Sequence, residues 1–291
     1  MVHGRAVDRN PLTSDRCPVI LSDAFVFLHM PKTGGTFVTE MLRRVSAEYP
    51  DLGIEVRDDL KHEGVKRIPK DYREKPVVTC VRHPMAHYVS RYHFAEWQTR
   101  MLSEDRSELI RARYPDFPDL SFPDFLRIRN DWDVALPRKA KNDALRRVLI
   151  EKKIGFGTRR FVGMLSRRPQ QLLQGFDEMS DAELDACFAD IGFLATETLN
   201  RDLHAFLTQV LRLDPGRVGF VAEHKPVQPK KARLRRALSP FGGAAGGRKT
   251  DWRDYFSPDD AAWLAHRERL LFRLFRDRYT PQPDPAALRA G

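Results

Sequence analysis

The chain has 291 residues, with 50 Lys and Arg against 40 Asp and Glu, a formal net charge of +10 at neutral pH, 42% hydrophobic and 31% charged residues. This composition excludes a chain disordered throughout and gives one large domain or two modest ones, able to hide about three quarters of the unfolded surface. No stretch approaches the roughly 18 uninterrupted apolar residues of a membrane-spanning helix, and Arg5, Asp8, Arg9, Asp15 and Arg16 interrupt the start, so a soluble, unsecreted, cytoplasmic protein without a membrane span is expected. Cys17, Cys80 and Cys187 are too few and too scattered for a disulfide framework or a zinc site, which fits a reducing compartment and an expectation of no metal. The positive surplus leaves nucleic acid, an acidic lipid surface and a phosphate-rich cofactor open as partners.

Residues 1–19 lack apolar periodicity and contain Pro11 and Pro18, which predicts a loose leader, followed by one domain over 20–280 and a tail at 281–291. Ala24, Phe25, Val26, Phe27 and Leu28 form a continuous apolar run, the pattern of a parallel strand covered on both faces. Phe37, Val38, Met41, Leu42 and Val45 then recur at helical spacing, so 24–45 reads as strand, phosphate-type loop and helix. A second buried strand is predicted at 76–81, then a charged turn and a helical segment at 85–97, which makes the sheet parallel. Residues 100–150 are highly charged and helical in pieces, with Pro115, Pro118, Pro123 and Pro137 as breaks. A short apolar run occupies 191–195, and 259–279 reads as one strongly periodic helix. The basic, proline-punctuated run 225–236 and the four glycines of 239–247 predict a mobile connection, either a flap over a site or a solvated surface loop. The expected class is α/β with three layers, a central parallel sheet flanked by helices.

The most informative segment is Pro31, Lys32, Thr33, Gly34, Gly35, Thr36, between a buried strand and an amphipathic helix. Adjacent glycines let the backbone curl and present several N–H donors, the helix start adds unpaired donors and a positive dipole end, and Lys32 adds a full charge; together they suit a phosphate-like group. A Walker A loop places its Lys near the end, before a Ser or Thr that holds magnesium, whereas here lysine comes first and no apolar strand ends in Asp. The second strand ends in Val81, Arg82, His83, Pro84, with Ser90 eight residues after Arg82. A guanidinium grips a phosphate at two points and a hydroxyl adds one hydrogen bond.

Residues 31–36 resemble the 5′-phosphosulfate loop, Pro-Lys-Thr/Ser-Gly-Gly/Thr-Thr, of the sulfotransferases that use 3′-phosphoadenosine 5′-phosphosulfate (PAPS). The resemblance implies a P-loop-like sulfotransferase architecture, with Lys32 on the 5′-phosphate and bridging oxygen and the backbone of Pro31 to Thr36 around the phosphosulfate. It also sets Phe37 where cytosolic members carry a Trp that packs on adenine, although Phe37 reads equally as helix core. Arg82 and Ser90 resemble the 3′-phosphate element of that family at the same interval. Arg248, Lys249 and Thr250, running into Asp251, Trp252 and Phe256, are similar to the Arg-Lys-Gly…Asp-Trp…Phe segment that completes this pocket, with Thr250 in place of Gly and the spacing closed up. Phe122, Pro123, Asp124, Phe125 look like a Phe-Pro-Glu-Phe element of the cytosolic branch, which extends the likeness over about residues 24–275.

Sulfuryl transfer also needs a group that removes the acceptor's proton. Lys61 and His62, ahead of Ile68 and Pro69, resemble the Lys-Thr-His-Leu-Pro region that holds the catalytic His of cytosolic members, and imidazole titrates near working pH. Carbohydrate-type members often use Glu, which keeps Glu63 and Glu55 as rivals. His29 reads as a residue that orients the loop, Glu197 as a structural glutamate at a strand end, and His83, His87 and His93 carry no assigned chemistry. Arg159 and Arg160 read as contacts to the nucleotide or an acidic acceptor, or as a solvated face. The activity implied is sulfonation of a hydroxyl or amine on a small-molecule, lipid or carbohydrate acceptor, without nucleic acid. A small-molecule kinase and a basic nucleic-acid-binding protein are the alternatives.

Overall fold

The computed structural model describes residues 19–60, 63–95, 98, 104–136, 142–188, 190–225 and 251–279. Cys17, His62, Arg248, Lys249 and all of the expected mobile connection except Lys225 lie outside them. Five strands form one sheet: β1 (Val19–Leu21), β2 (Val26–Leu28), β3 (Glu55–Arg57), β4 (Val77–Val81) and β5 (Ile191–Ala195), in the order β3-β1-β2-β4-β5. β2 runs parallel to β4, with Phe27 opposite Val78, and β4 runs parallel to β5, with Cys80 opposite Leu194. The parallel sheet predicted from sequence is therefore a parallel core in a mixed sheet, because β1 pairs antiparallel with both β2 and β3. The turn at 22–25 is too short for the crossover a parallel pair needs, so β1 folds back on β2 as a hairpin.

Alternation along the strands sorts the apolar residues into two cores. Ile20, Phe27, Val78, Cys80 and Leu194 face one side, against Phe37, Val38, Met41 and Leu42 of helix α1 (Gly35–Glu48) and Leu199 and Leu203 of the helix Leu199–Ala205. Val26, Leu28, Val77 and Val81 face the other, with Met85 and Tyr88 of helix α2 (Pro84–Phe94) and Phe125 of the helix Phe122–Asn130. Burial on both faces is what makes these strands read as unbroken apolar runs.

α2 stops at Phe94, short of the expected end at Trp97, where Ala95 takes a left-handed conformation with φ 54°. The segment expected as one helix at 259–279 is two, Pro258–Arg267 and Arg269–Leu274, broken at Glu268 (φ −101°, ψ 16°). The break is tertiary in origin. The Glu268 carboxylate is fully buried at the start of the helix Phe156–Leu165, where it accepts hydrogen bonds from Gly157 N (2.8 Å), Thr158 N (2.6 Å) and the Thr158 hydroxyl (2.7 Å). No helix among the described residues is long and apolar enough to cross a membrane.

Candidate functional site

β2 ends at Leu28 and α1 begins at Gly35, so residues 29–34 turn over the end of the sheet. Gly34 has φ 95° and Lys32 has φ 71°, the latter in a region that costs an L-residue about 1–2 kcal/mol. Gly34 is called for by its positive φ, and Gly35 by packing: a Cβ there would fall 2.5 Å from Nε2 of the buried His29. His29 thus shapes the loop, the role its sequence position suggests. The Thr33 hydroxyl donates to Met30 O (2.7 Å). No side chain caps α1, and the N–H groups of Gly35 and Thr36 have no acceptor among the described residues, leaving the donors and the positive helix end available to an anion.

β4 delivers Arg82 to the same place. Its Nη1 lies 3.4 Å from the Lys32 carbonyl oxygen, while its buried Nε has no hydrogen-bond partner among the described residues. Burial lowers the guanidinium's pKa, an effect opposed by the attraction of Glu197. Glu197 is held at the end of β5, its Oε1 accepting from His83 N (3.1 Å) and its Oε2 from the Tyr279 hydroxyl (3.0 Å). The neighbouring Thr196 hydroxyl sits 2.7 Å from Thr33 O and 2.8 Å from Val81 O, tying the loop to the end of β4. The Lys32 ammonium lies over the Phe94 ring, 3.7 Å from its centroid.

α2 supplies the floor. Buried His87 has Nε2 3.1 Å from Pro31 O, an atom that can only accept, so the ring donates from Nε2. Burial first, then Arg91, Arg82 and Arg160, hold its pKa well below the ordinary histidine value and keep it neutral. Ser90, half-buried, follows three residues later and shares the His87 face of the helix.

The segment after the predicted Arg248–Lys249 pair docks on α2 at both ends. Trp252 stacks on His83 (4.6 Å between ring centroids, 18° between planes), and the Tyr255 hydroxyl meets His93 Nε2 at 2.6 Å. Tyr255 and Phe256 also pack edge-on against Phe122, 5.3 and 5.0 Å away, so the third and fourth sequence elements meet beside the second.

Other predicted residues fall elsewhere. Phe37 is buried in the core beneath α1, its ring edge-on to His224 at 6.0 Å. Glu55 lies on β3 level with the start of β2, one strand away, and its Oε1 is 3.5 Å from Arg57 Nε; the loop leaves the other end of β2. Glu63 is 3.5 Å from Arg67 Nε in a surface pair. It precedes Gly64, which abuts the Met164 backbone closely enough that a Cβ would fall 2.7 Å from Met164 Cα. Arg159 and Arg160 stand half-buried in the first turn and a half of the helix Phe156–Leu165. Among the described residues no three His, Cys, Asp or Glu side chains converge as a metal site.

No family model matches the chain, and no curated protein matches it. Among solved structures, the fold is similar to the crystal structure of mouse sulfotransferase SULT7A1 complexed with PAP, at 13% identity and a TM-score of 0.41, covering 88% of this chain and 87% of that one.

Three contributors carry no local sequence signal: His87 under the loop, Thr196 bridging two strand ends, and Glu268. The Tyr88 hydroxyl joins Glu268 Oε1 (2.6 Å) to Asn130 Oδ1 (3.0 Å), locking α2 against two neighbouring helices. Only pairing across 42 to 180 residues of chain reveals these roles.

Proposed function

We propose that the chain is a PAPS-dependent sulfotransferase acting on a hydroxyl or amine of a small-molecule, lipid or carbohydrate acceptor. The observation that carries the reading is the meeting of Lys32 and Arg82: the open amides of an uncapped helix, a lysine and a mostly buried arginine lie at one end of the sheet, at 3.4 Å from guanidinium to lysine carbonyl. The residues present fit a doubly phosphorylated nucleotide. The Gly35 and Thr36 amides at the start of an uncapped helix have no acceptor among the described residues, and buried Arg82 Nε has no partner among them, a gap that a phosphate oxygen would fill. PAPS, when bound, supplies an activated sulfuryl group whose leaving group is a phosphate. Lys32 and the amides of Gly35 and Thr36 would hold the 5′ end and stabilise the negative charge that develops there. Arg82 and Ser90 would hold the 3′-phosphate, and Arg248 and Lys249 are the proposed further contacts to it. His62 is the proposed base, taking the acceptor's proton as its oxygen or nitrogen attacks sulfur, with Glu63 as the alternative in the same segment.

A kinase on a P-loop-like scaffold is the less favoured reading, because β4 is followed by Arg82 and both oxygens of Glu197, just after β5, already accept hydrogen bonds from His83 and Tyr279. Titration of 3′-phosphoadenosine 5′-phosphate (PAP) and ATP, each with and without magnesium, tests the proposal. Metal-independent PAP binding that Arg82→Ala removes supports it. Magnesium-dependent ATP binding with indifference to PAP establishes the kinase instead, and salt-sensitive nucleic-acid binding untouched by Lys32→Ala a basic binding protein.

A further inference from the structure

We infer that Phe94, the last residue of α2, is a positioning residue: its ring holds the Lys32 ammonium in place for the anion at the loop, and it acts on that anion only through the lysine. The ammonium stands 3.7 Å from the ring centroid, within reach of the electron-rich face that attracts a cation. His87, Ser90 and Phe94 recur along α2 within about 60° of one another, so they form one stripe. Pro31 O meets the His87 end of the stripe at 3.1 Å, and the ammonium meets the Phe94 end, about 10 Å further along the axis. From a left-handed backbone (φ 71°), the Lys32 side chain therefore runs along α2 past the level of Ser90.

The helix fixes where the ring stands. Ala95 N–H closes α2 immediately after Phe94, on Arg91 O (3.2 Å) and Tyr92 O (3.1 Å). On other faces of α2 the Tyr88 hydroxyl bonds Asn130 Oδ1 (3.0 Å), the Tyr92 hydroxyl donates to Leu120 O (3.1 Å), and the Tyr92 ring packs edge-on to Phe122 at 5.4 Å. α2 is thus anchored on its neighbours while Phe94 meets the loop, and the negative end of the helix dipole lies at the same end as the ammonium.

A phenyl ring suits this task better than a carboxylate would. A carboxylate at the same place would cancel the lysine's charge and compete with the incoming anion, whereas a neutral ring attracts the ammonium, leaves its net charge intact and covers only one side of it. A lysine free in the loop must be ordered as the anion arrives, at a cost in side-chain entropy; one already held on a ring is ordered beforehand. The ammonium therefore stays on the ring while a phosphate oxygen takes its N–H groups from the other side. The part that Phe94 plays in donor binding rests on the sulfotransferase reading; its action through Lys32 on a phosphate at the loop does not.

The test is calorimetric titration of PAP and of inorganic pyrophosphate into the full chain, for the wild type, Phe94→Leu, Phe94→Tyr, Lys32→Ala and the double variant Lys32→Ala/Phe94→Leu. Phe94→Leu is expected to weaken both ligands about 3- to 30-fold, and Phe94→Tyr, which keeps the ring, to stay within about twofold of the wild type. In the Lys32→Ala background Phe94→Leu should cost nothing more, a coupling that loss of packing alone does not produce. Should Phe94→Leu fail to fold, pentafluorophenylalanine at position 94 keeps the shape, reverses the charge pattern of the ring and carries the same expectation. Affinities unchanged in Phe94→Leu would overturn the inference, as would tightened ones, which would mean that the ring withholds the ammonium. A full additional loss in the Lys32→Ala background would overturn it too, since Phe94 would then act without the lysine. If PAP fails to bind the wild type while pyrophosphate binding still depends on Phe94 through Lys32, the positioning role stands and the sulfotransferase reading falls; if neither ligand binds, both fall.

Discussion

Glu268→Gln keeps the shape of a fully buried side chain and removes one acceptor oxygen. Oε1 takes Gly157 N–H at 2.8 Å and lies 2.6 Å from the Tyr88 hydroxyl; Oε2 takes Thr158 N–H at 2.6 Å and the Thr158 hydroxyl at 2.7 Å. The two hydroxyls can rotate to accept from an amide, and Tyr88 then donates to Asn130 Oδ1. The two backbone N–H groups cannot, so whichever way the amide faces, one buried N–H meets an NH₂. A protonated carboxyl keeps a lone pair on each oxygen and avoids this. The loss of one such bond costs about 1–3 kcal/mol, which lowers the melting temperature by about 2–10 °C in a chain of this size. Burial raises the Glu268 pKa above its ordinary 4.5, so the folded state holds the proton to higher pH than the unfolded state. The advantage of Glu over Gln is therefore full below pH 4.5 and shrinks as pH rises through the raised value. Thermal and urea unfolding of both chains across this range, with an unchanged urea m-value, checks the prediction. Equal melting temperatures near pH 4.5, or an advantage that grows with pH, would refute the reasoning.

Two further outcomes follow from the loop and from the proposed base. Gly35→Ala drives a methyl into the His29 ring and is expected to destabilise by about 1–3 kcal/mol while weakening PAP; adding His29→Ala should restore part of both, and simple additivity in that double-mutant cycle would contradict the packing. His62→Ala is expected to keep PAP affinity and lower turnover at least about 100-fold, as loss of a general base does; unchanged turnover, measured with any competent acceptor, would move the base to Glu63.

The parts of the fold legible in the sequence are those where both faces of an element are buried or where one face repeats. β2 and β4 read as unbroken apolar runs because both faces are buried, β5 reads from Phe193, Leu194 and Ala195 although only its last two residues are buried, and α1 reads from Val38, Met41, Leu42 and Val45. The Glu-Val-Arg of β3 is partly exposed and has no apolar run to detect, while β1, a buried Val-Ile-Leu, is separated from β2 by only four residues and directly follows the stretch without periodicity, so nothing local marks it as a strand of its own. The break at Glu268 was hidden because apolar periodicity continues through Leu264, Leu270 and Leu271; a bond to the distant Gly157 and Thr158 stops the helix. In the site, Lys32, Gly34, Gly35 and Arg82 stood out through chemistry confined to a few adjacent residues. The compensation of Arg82 by Glu197, 115 residues away, did not, since that separation is closed only by the β4–β5 pairing. Phe37 shows the converse: a position suggestive of a ring contact to adenine is filled by a residue of the core.

The central claim is that Lys32 and Arg82 serve different phosphates of one nucleotide. Calorimetric affinities of PAP and of adenosine 5′-monophosphate for the wild type, Lys32→Ala and Arg82→Ala test it most directly. Arg82→Ala is expected to lose about 1.5–3 kcal/mol for PAP, roughly 10- to 150-fold, and to leave the monophosphate unchanged, whereas Lys32→Ala weakens both. Equal losses for the two nucleotides in Arg82→Ala, or PAP affinity untouched by either substitution, would contradict the account.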